Sequence, residues 1–89
     1  MFEWDEANSQ HLLRHGIEPG EAEEALLDPA GIGSSAHRSQ GERRWAVLAA
    51  TESGRVLVVI YTRRGEMIRV ITAIDADPAE RRRYRRRGK

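Results

Sequence analysis

Two runs of eight residues, 55–62 and 67–74, flank Arg63-Arg64-Gly65-Glu66 and constrain the fold more than any other part of the chain. β-branched residues dominate both: Val56, Val58, Val59, Ile60 and Thr62 in the first, Ile68, Val70, Ile71, Thr72 and Ile74 in the second. Such side chains fit a pleated, half-buried surface better than a helix, where they lose χ1 freedom against the preceding turn. Gly65 supplies the positive φ that a tight reversal demands, so the two runs read as a β-hairpin. Residues 43–51 form the strand before it, joined by Glu52-Ser53-Gly54 as a three-residue loop with its glycine in the left-handed region. The apolar side chains concentrate in this three-strand meander, so the rest of the chain has to pack on it.

The flanking segments carry helix signals. Asp5 reads as an N-cap with Asn8 closing a capping box, the helix running to about His15 and Gly16 ending it. Ala7, His11 and His15 fall four apart on one side of it, beside Leu12, and both imidazoles are expected at or beside the sheet. Pro19 opens a second helix with an Ala22, Ala25, Leu26 stripe, stopped by Pro29 after Asp28. Residues 32–36 read as a weak edge strand followed by a mobile loop through Gln40 to Gly41, and Phe2-Glu3-Trp4 as a short aromatic edge segment. Asp77, Pro78 and Glu80 are an N-cap, first position and capping-box partner for a last helix rich in arginine. The expected class is α+β: a small antiparallel sheet, a three-strand meander plus short edge strands, covered by two N-terminal helices, with a basic C-terminal helix.

With 89 residues there is room for one domain, 1–89, whose basic tail begins near residue 81. The absence of cysteine excludes a disulfide framework and thiolate metal sites and suits a reducing cytoplasm. The longest apolar run, 56–61, falls far short of the ~20 residues of a membrane-spanning helix, and the acidic N-terminus is unlike a signal peptide. A cytoplasmic protein without membrane contact is the expectation. The net charge of +1 conceals a division: residues 1–30 carry eight acids and one arginine, whereas residues 31–89 carry six acids and fourteen bases. A basic half of this kind is suited to a polyanion.

Several stretches taken together resemble one family. Phe2-Glu3-Trp4-Asp5-Glu6-Ala7-Asn8, Arg14-His15-Gly16-Ile17 with Glu21-Ala22, Gly41-Glu42-Arg43-Arg44, Arg64-Gly65, Ile68-Arg69-Val70-Ile71-Thr72-Ala73, and Glu80-Arg81 with Tyr84 are similar in order and spacing to the BrnT toxins of type II toxin–antitoxin systems. The resemblance implies a RelE-like α+β fold and a ribonuclease that blocks translation by cutting an RNA substrate. It also implies a BrnA-like ribbon-helix-helix antitoxin as partner, and contact with promoter DNA only through the antitoxin complex. Where the family commonly carries arginine after Ser/Thr-Ala, this chain has Ile74, followed by Asp75. The second reading is therefore a catalytically degenerate relative that binds antitoxin or nucleic acid.

Metal-independent RNA cleavage needs a base for the 2′-hydroxyl proton, cations for charge on the phosphorane, and an acid for the leaving oxygen. Arg64 and Arg69 are the candidate phosphate holders, and His37 is a candidate for proton transfer. Glu80 and Tyr84, four apart, are a candidate base and acid in the RelE-like manner, although the capping box alone also accounts for Glu80. Arg43, Arg44, Arg81, Arg82 and Arg85 are the candidate hold on the RNA backbone, joined in the tail by Arg83, Arg86 and Arg87. No cofactor and no metal are expected, and Trp45 and Tyr61 are expected to be buried in the sheet. On this reading Arg64, Arg69 and the Glu80–Tyr84 turn converge on one phosphate-sized pocket.

Overall fold

The computed structural model describes residues 1–39 and 41–86; Gln40 and residues 87–89, Arg87 among them, lie outside the described residues. In chain order the elements are β1 (Phe2–Glu3), α1 (Glu6–Arg14), α2 (Pro19–Leu26), β2 (Ile32–Ser39), β3 (Glu42–Ala50), β4 (Val56–Arg64), β5 (Met67–Asp75) and α3 (Pro78–Arg85). The five strands form one mixed sheet in the order β1-β5-β4-β3-β2. β2 to β5 are an antiparallel meander, and β1 joins β5 in parallel with Phe2 opposite Ile68. Gly65, at φ 61°, turns the β4–β5 hairpin, and Gly54, at φ 92°, turns the β3–β4 loop.

Strand alternation sends side chains to two faces, and helices cover them unequally. Ala49, Leu57, Val59, Val70 and Ala73 point toward α1 and α2, where Leu12, Ile17, Ala22 and Ala25 complete the main core. Leu48 and Val56 point the other way and pack with Ala76 and Tyr84 beneath α3. Val70 and Ala73 share a face although three apart because β5 carries a bulge. Tyr61 faces Val70 and Ile60 faces Thr72, leaving Ile71 as the extra residue.

The helix boundaries follow from local chemistry. Asp5 accepts the Asn8 N–H and Asn8 Oδ1 accepts the Asp5 N–H, closing the box. The buried Asn8 amide then donates to the carbonyls of Glu3 and Val70, fastening α1 to β1 and β5. At the other end Gly16, at φ 73°, lets the Ile17 N–H reach Leu12 O and its own N–H reach Leu13 O, a Schellman closure that buries Leu12 against Ile17. Asp77, Pro78 and Glu80 form the box that opens α3.

Four expectations change. The segment after Ile32 is a full strand rather than a loop, because β3 pairs it on both sides of a bulge between Ser34 and His37. The meander accordingly has four strands rather than three. The buried line of α1 is Asn8 and Leu12, while Ala7 and His15 are exposed, since Asn8 has backbone carbonyls to satisfy inside. Finally, Trp45 and Tyr61 lie beyond the helices and are only half-buried. Their rings stack at 5.8 Å with 19° between planes, and the Arg43 guanidinium sits 5.6 Å from the Trp45 ring.

Candidate functional site

The sheet face that carries α3 is covered at only one end. Paired residues share a face, so Val58 and Ile74, Ile60 and Thr72, and Thr62 and Arg69 form successive rows across β4 and β5. β3 and β2 extend these rows with Leu48, Ala46 and Arg44, and with His37 opposite Arg44. α3 packs on the Leu48–Val58 end. The opposite end carries arginines.

There Arg44, Arg64 and Arg69 stand among Glu3, Asp5 and Glu42. Arg69 holds Asp5 in a fork, Nη1 to Oδ2 at 2.9 Å and Nη2 to Oδ1 at 3.3 Å. That guanidinium, with the Asn8 N–H second, holds the Asp5 carboxyl below its ordinary pKa. The other pairs are looser. Arg64 lies 3.8 Å from Glu3 and 3.6 Å from Glu42, and Arg44 lies 3.5 Å from Glu42. Buried Glu3 Oε1 and Arg44 Nε make no hydrogen bond. Arg44 and Arg64, held by slack contacts, keep donors available to an incoming anion, and guanidinium groups match phosphate oxygens in two-point contact.

The sequence-predicted residues divide between locations. His37, Arg44, Arg64 and Arg69 share the uncovered half of this face. Glu80 borders the same face from α3, lining a hollow of about 210 Å³ with Ser34, Ala46, Leu48 and Arg83, while its Oε1 accepts the Asp77 N–H. Tyr84 is turned inward, 8% exposed, with its hydroxyl donating to Asp28 Oδ2. The same carboxylate oxygen accepts the Ala50 N–H, so the phenol anchors α3 to the sheet instead of facing the arginines. Arg81 donates to Ala76 O, whereas Arg82 and Arg85 are exposed on α3. Arg43 belongs to the opposite face, over Trp45. The expected single pocket does not form: Arg69, Glu80 and Tyr84 line three different hollows.

His11 lies beside the sheet, as its spacing on α1 leads one to expect, with Nε2 3.1 Å from Thr72 Oγ1 at the rim of the uncovered face. The spacing does not name that partner, because the β5 bulge decides where Thr72 points. Sequence reasoning missed one arrangement. Arg55, which belongs to no motif in the sequence, binds both Asp75 oxygens and both Glu21 oxygens. Ile74, on the same face as Thr72 and Arg69, is 44% exposed. Among the described residues no group of three or more His, Cys, Asp or Glu is placed to hold a metal ion, and no helix is long and apolar enough to cross a membrane.

A small α+β fold with an arginine-bearing, half-uncovered sheet face suits a protein that acts on RNA, and the class is that of the ribonuclease toxins of type II toxin–antitoxin systems. Residues 4–80 match the family described as "Ribonuclease toxin, BrnT, of type II toxin-antitoxin system", and the chain belongs to that family. Membership implies an RNA substrate and an antitoxin partner. No curated protein matches the chain.

Proposed function

We propose that the chain is a RelE-like endoribonuclease toxin of the cytoplasm that blocks translation and is neutralised by a ribbon-helix-helix antitoxin. The observation that carries this reading is the Arg44, Arg64 and Arg69 cluster, brought from three strand segments to the uncovered half of one face. RNA lies across that half, its backbone held by these arginines and by Arg82 and Arg85 of α3. The chemistry is metal-independent transesterification: the 2′-oxygen attacks phosphorus, the bond to the 5′-oxygen breaks, and guanidinium groups stabilise the charge that builds on the phosphorane. The acidic surface of α2 leaves the antitoxin a region distinct from the RNA path.

The test is purified protein incubated with single-stranded RNA in excess EDTA. The expected outcome is fragments ending in 2′,3′-cyclic phosphate; intact RNA with folded protein rejects the reading. In cells, induction arrests growth, and co-expression of the adjacent antitoxin gene restores it.

A second reading, a catalytically degenerate module that binds antitoxin or nucleic acid, is favoured by Ile74, an exposed apolar residue beside Thr72 on the proposed RNA face. RNA retained without cleavage, together with antitoxin binding, supports this reading over the first.

A further inference from the structure

Arginines hold a phosphate but do not take a proton from a 2′-hydroxyl, because guanidinium stays protonated. Glu80 Oε1 is engaged by the Asp77 N–H, and Tyr84 is turned into the protein. The fold offers another base at the place where α1 passes the edge of β5. There a hollow of about 270 Å³ is lined by Ala7, Asn8, His11, Arg69, Val70 and Ile71. β1 pairs β5 at Ile68 and Arg69, and α1 borders the strand edge beyond them. The bulge at Ile71 falls within this stretch, and bulges re-aim the side chains beside them. Thr72, on the face of Ile60, thereby meets His11 Nε2 at 3.1 Å.

We propose that this rim hollow binds the scissile phosphate of single-stranded RNA, with Arg69 holding the phosphate and His11 taking the 2′-hydroxyl proton. The inference rests on the ribonuclease reading and deepens it. The Arg69 fork that now grips the Asp5 carboxylate has the two-point geometry a phosphate requires, and the substrate replaces Asp5 in it. In the step, the O2′–P bond forms and the P–O5′ bond breaks. The O2′ proton passes to His11 Nε2, and solvent water protonates the leaving 5′-oxygen. Thr72 is a positioning residue, fixing the imidazole until substrate arrives. The charged and titratable groups around His11 are the His15 ring, edge-on at 5.2 Å between centroids, Arg69 across the hollow, and the Asp5 carboxylate that Arg69 holds.

The experiment compares wild type, His11→Gln and His37→Gln on a short RNA in EDTA across pH 5–9, with circular dichroism to verify folding. The expected result is a kcat loss of about 10²-fold for His11→Gln at little changed KM. The fall in rate toward acid pH expected of the wild type should be absent from that variant. Full activity of His11→Gln, or loss confined to His37→Gln, overturns the inference while leaving the ribonuclease reading intact. Wild-type protein that leaves RNA uncut overturns that reading and this inference together. Should His11→Gln not fold, wild-type imidazole resonances are followed while a 2′-deoxy dinucleotide is added. A shift of His11 with saturation supports the site, and an unmoved His11 while the dinucleotide binds elsewhere overturns it.

Discussion

Arg55 grips Asp75 with two parallel hydrogen bonds, Nε to Oδ1 at 2.7 Å and Nη2 to Oδ2 at 2.9 Å. Its remaining nitrogen, Nη1, reaches both Glu21 oxygens and the Gly16 carbonyl, each at 3.1 Å. One side chain thus joins β4, β5, α2 and the turn after α1. Arg55 holds the Asp75 carboxyl below its ordinary pKa, and the Glu18 N–H, followed by Arg55, does the same for Glu21.

Arg55→Ala should destabilise the protein by about 1–2 kcal/mol at neutral pH, a charge-assisted network discounted for partial exposure. The pH dependence has a definite sign. Carboxyls depressed in the folded state contribute fully above their unfolded values, 3.8 for Asp and 4.5 for Glu, and the contribution fades as pH falls through the folded ones. Urea midpoints at pH 7 and pH 3 should therefore differ less for Arg55→Ala than for wild type. Parallel pH profiles would show that the network does not respond to acid as described.

Asn8→Ala removes an amide that serves the Asp5 N–H and the carbonyls of Glu3 and Val70 from a site 5% exposed. Buried groups left without partners make this loss about 2–3 kcal/mol. Urea denaturation measures it, and amide exchange at residues 68–70 should accelerate as β1 loosens.

Arg64 and Arg69 should separate stability from RNA affinity. Arg64 is 55% exposed in its side chain with long ion pairs, so Arg64→Ala changes stability by less than about 0.5 kcal/mol. Arg69 is 14% exposed and its loss removes the short fork to Asp5 and the nearby contact to Glu3, which makes Arg69→Ala the more destabilising. Both substitutions should weaken RNA binding, and each guanidinium removed from a phosphate should make the salt slope of log K shallower by roughly 0.7. Binding isotherms at salt concentrations from about 50 to 200 mM provide the check.

Ile74→Arg adds a guanidinium to the face that carries Thr72 and Arg69. Because Ile74 is 44% exposed, the exchange should leave the melting temperature nearly unchanged. An increase of about tenfold or more in RNA cleavage is expected, in line with the contribution of a single added donor to a charged transition state. An unchanged rate would show that this position does not limit the chemistry.

The parts of the fold readable in advance are those decided locally. Gly16, Gly54 and Gly65 mark reversals by conformation alone, and Asp5, Asp77 and Pro78 mark helix starts through groups within one turn. β2 is weakly signalled because Gly33 and Ser34 have little strand preference and owe their conformation to the β3 partner. The site is harder still to read. Tyr84 faces Asp28 rather than RNA because of how α3 docks, and His11 reaches Thr72 because of a one-residue bulge in a strand some sixty residues away. Alternation along β4 places Arg64 with Thr62, whereas no periodicity in α1 could bring its rim to Arg69.

Phe2 pairs with Ile68, Glu3 with Arg69, and the Ile68 N–H donates to Met1 O at 2.7 Å. This edge strand is therefore among the last to find its place on folding, since its partner lies sixty-six positions downstream and a loop of that length has to close first. The Asp5–Arg69 fork, which bridges the same long loop, can close only when that strand docks, so the geometry of this arginine is set by the slowest contact in the sheet.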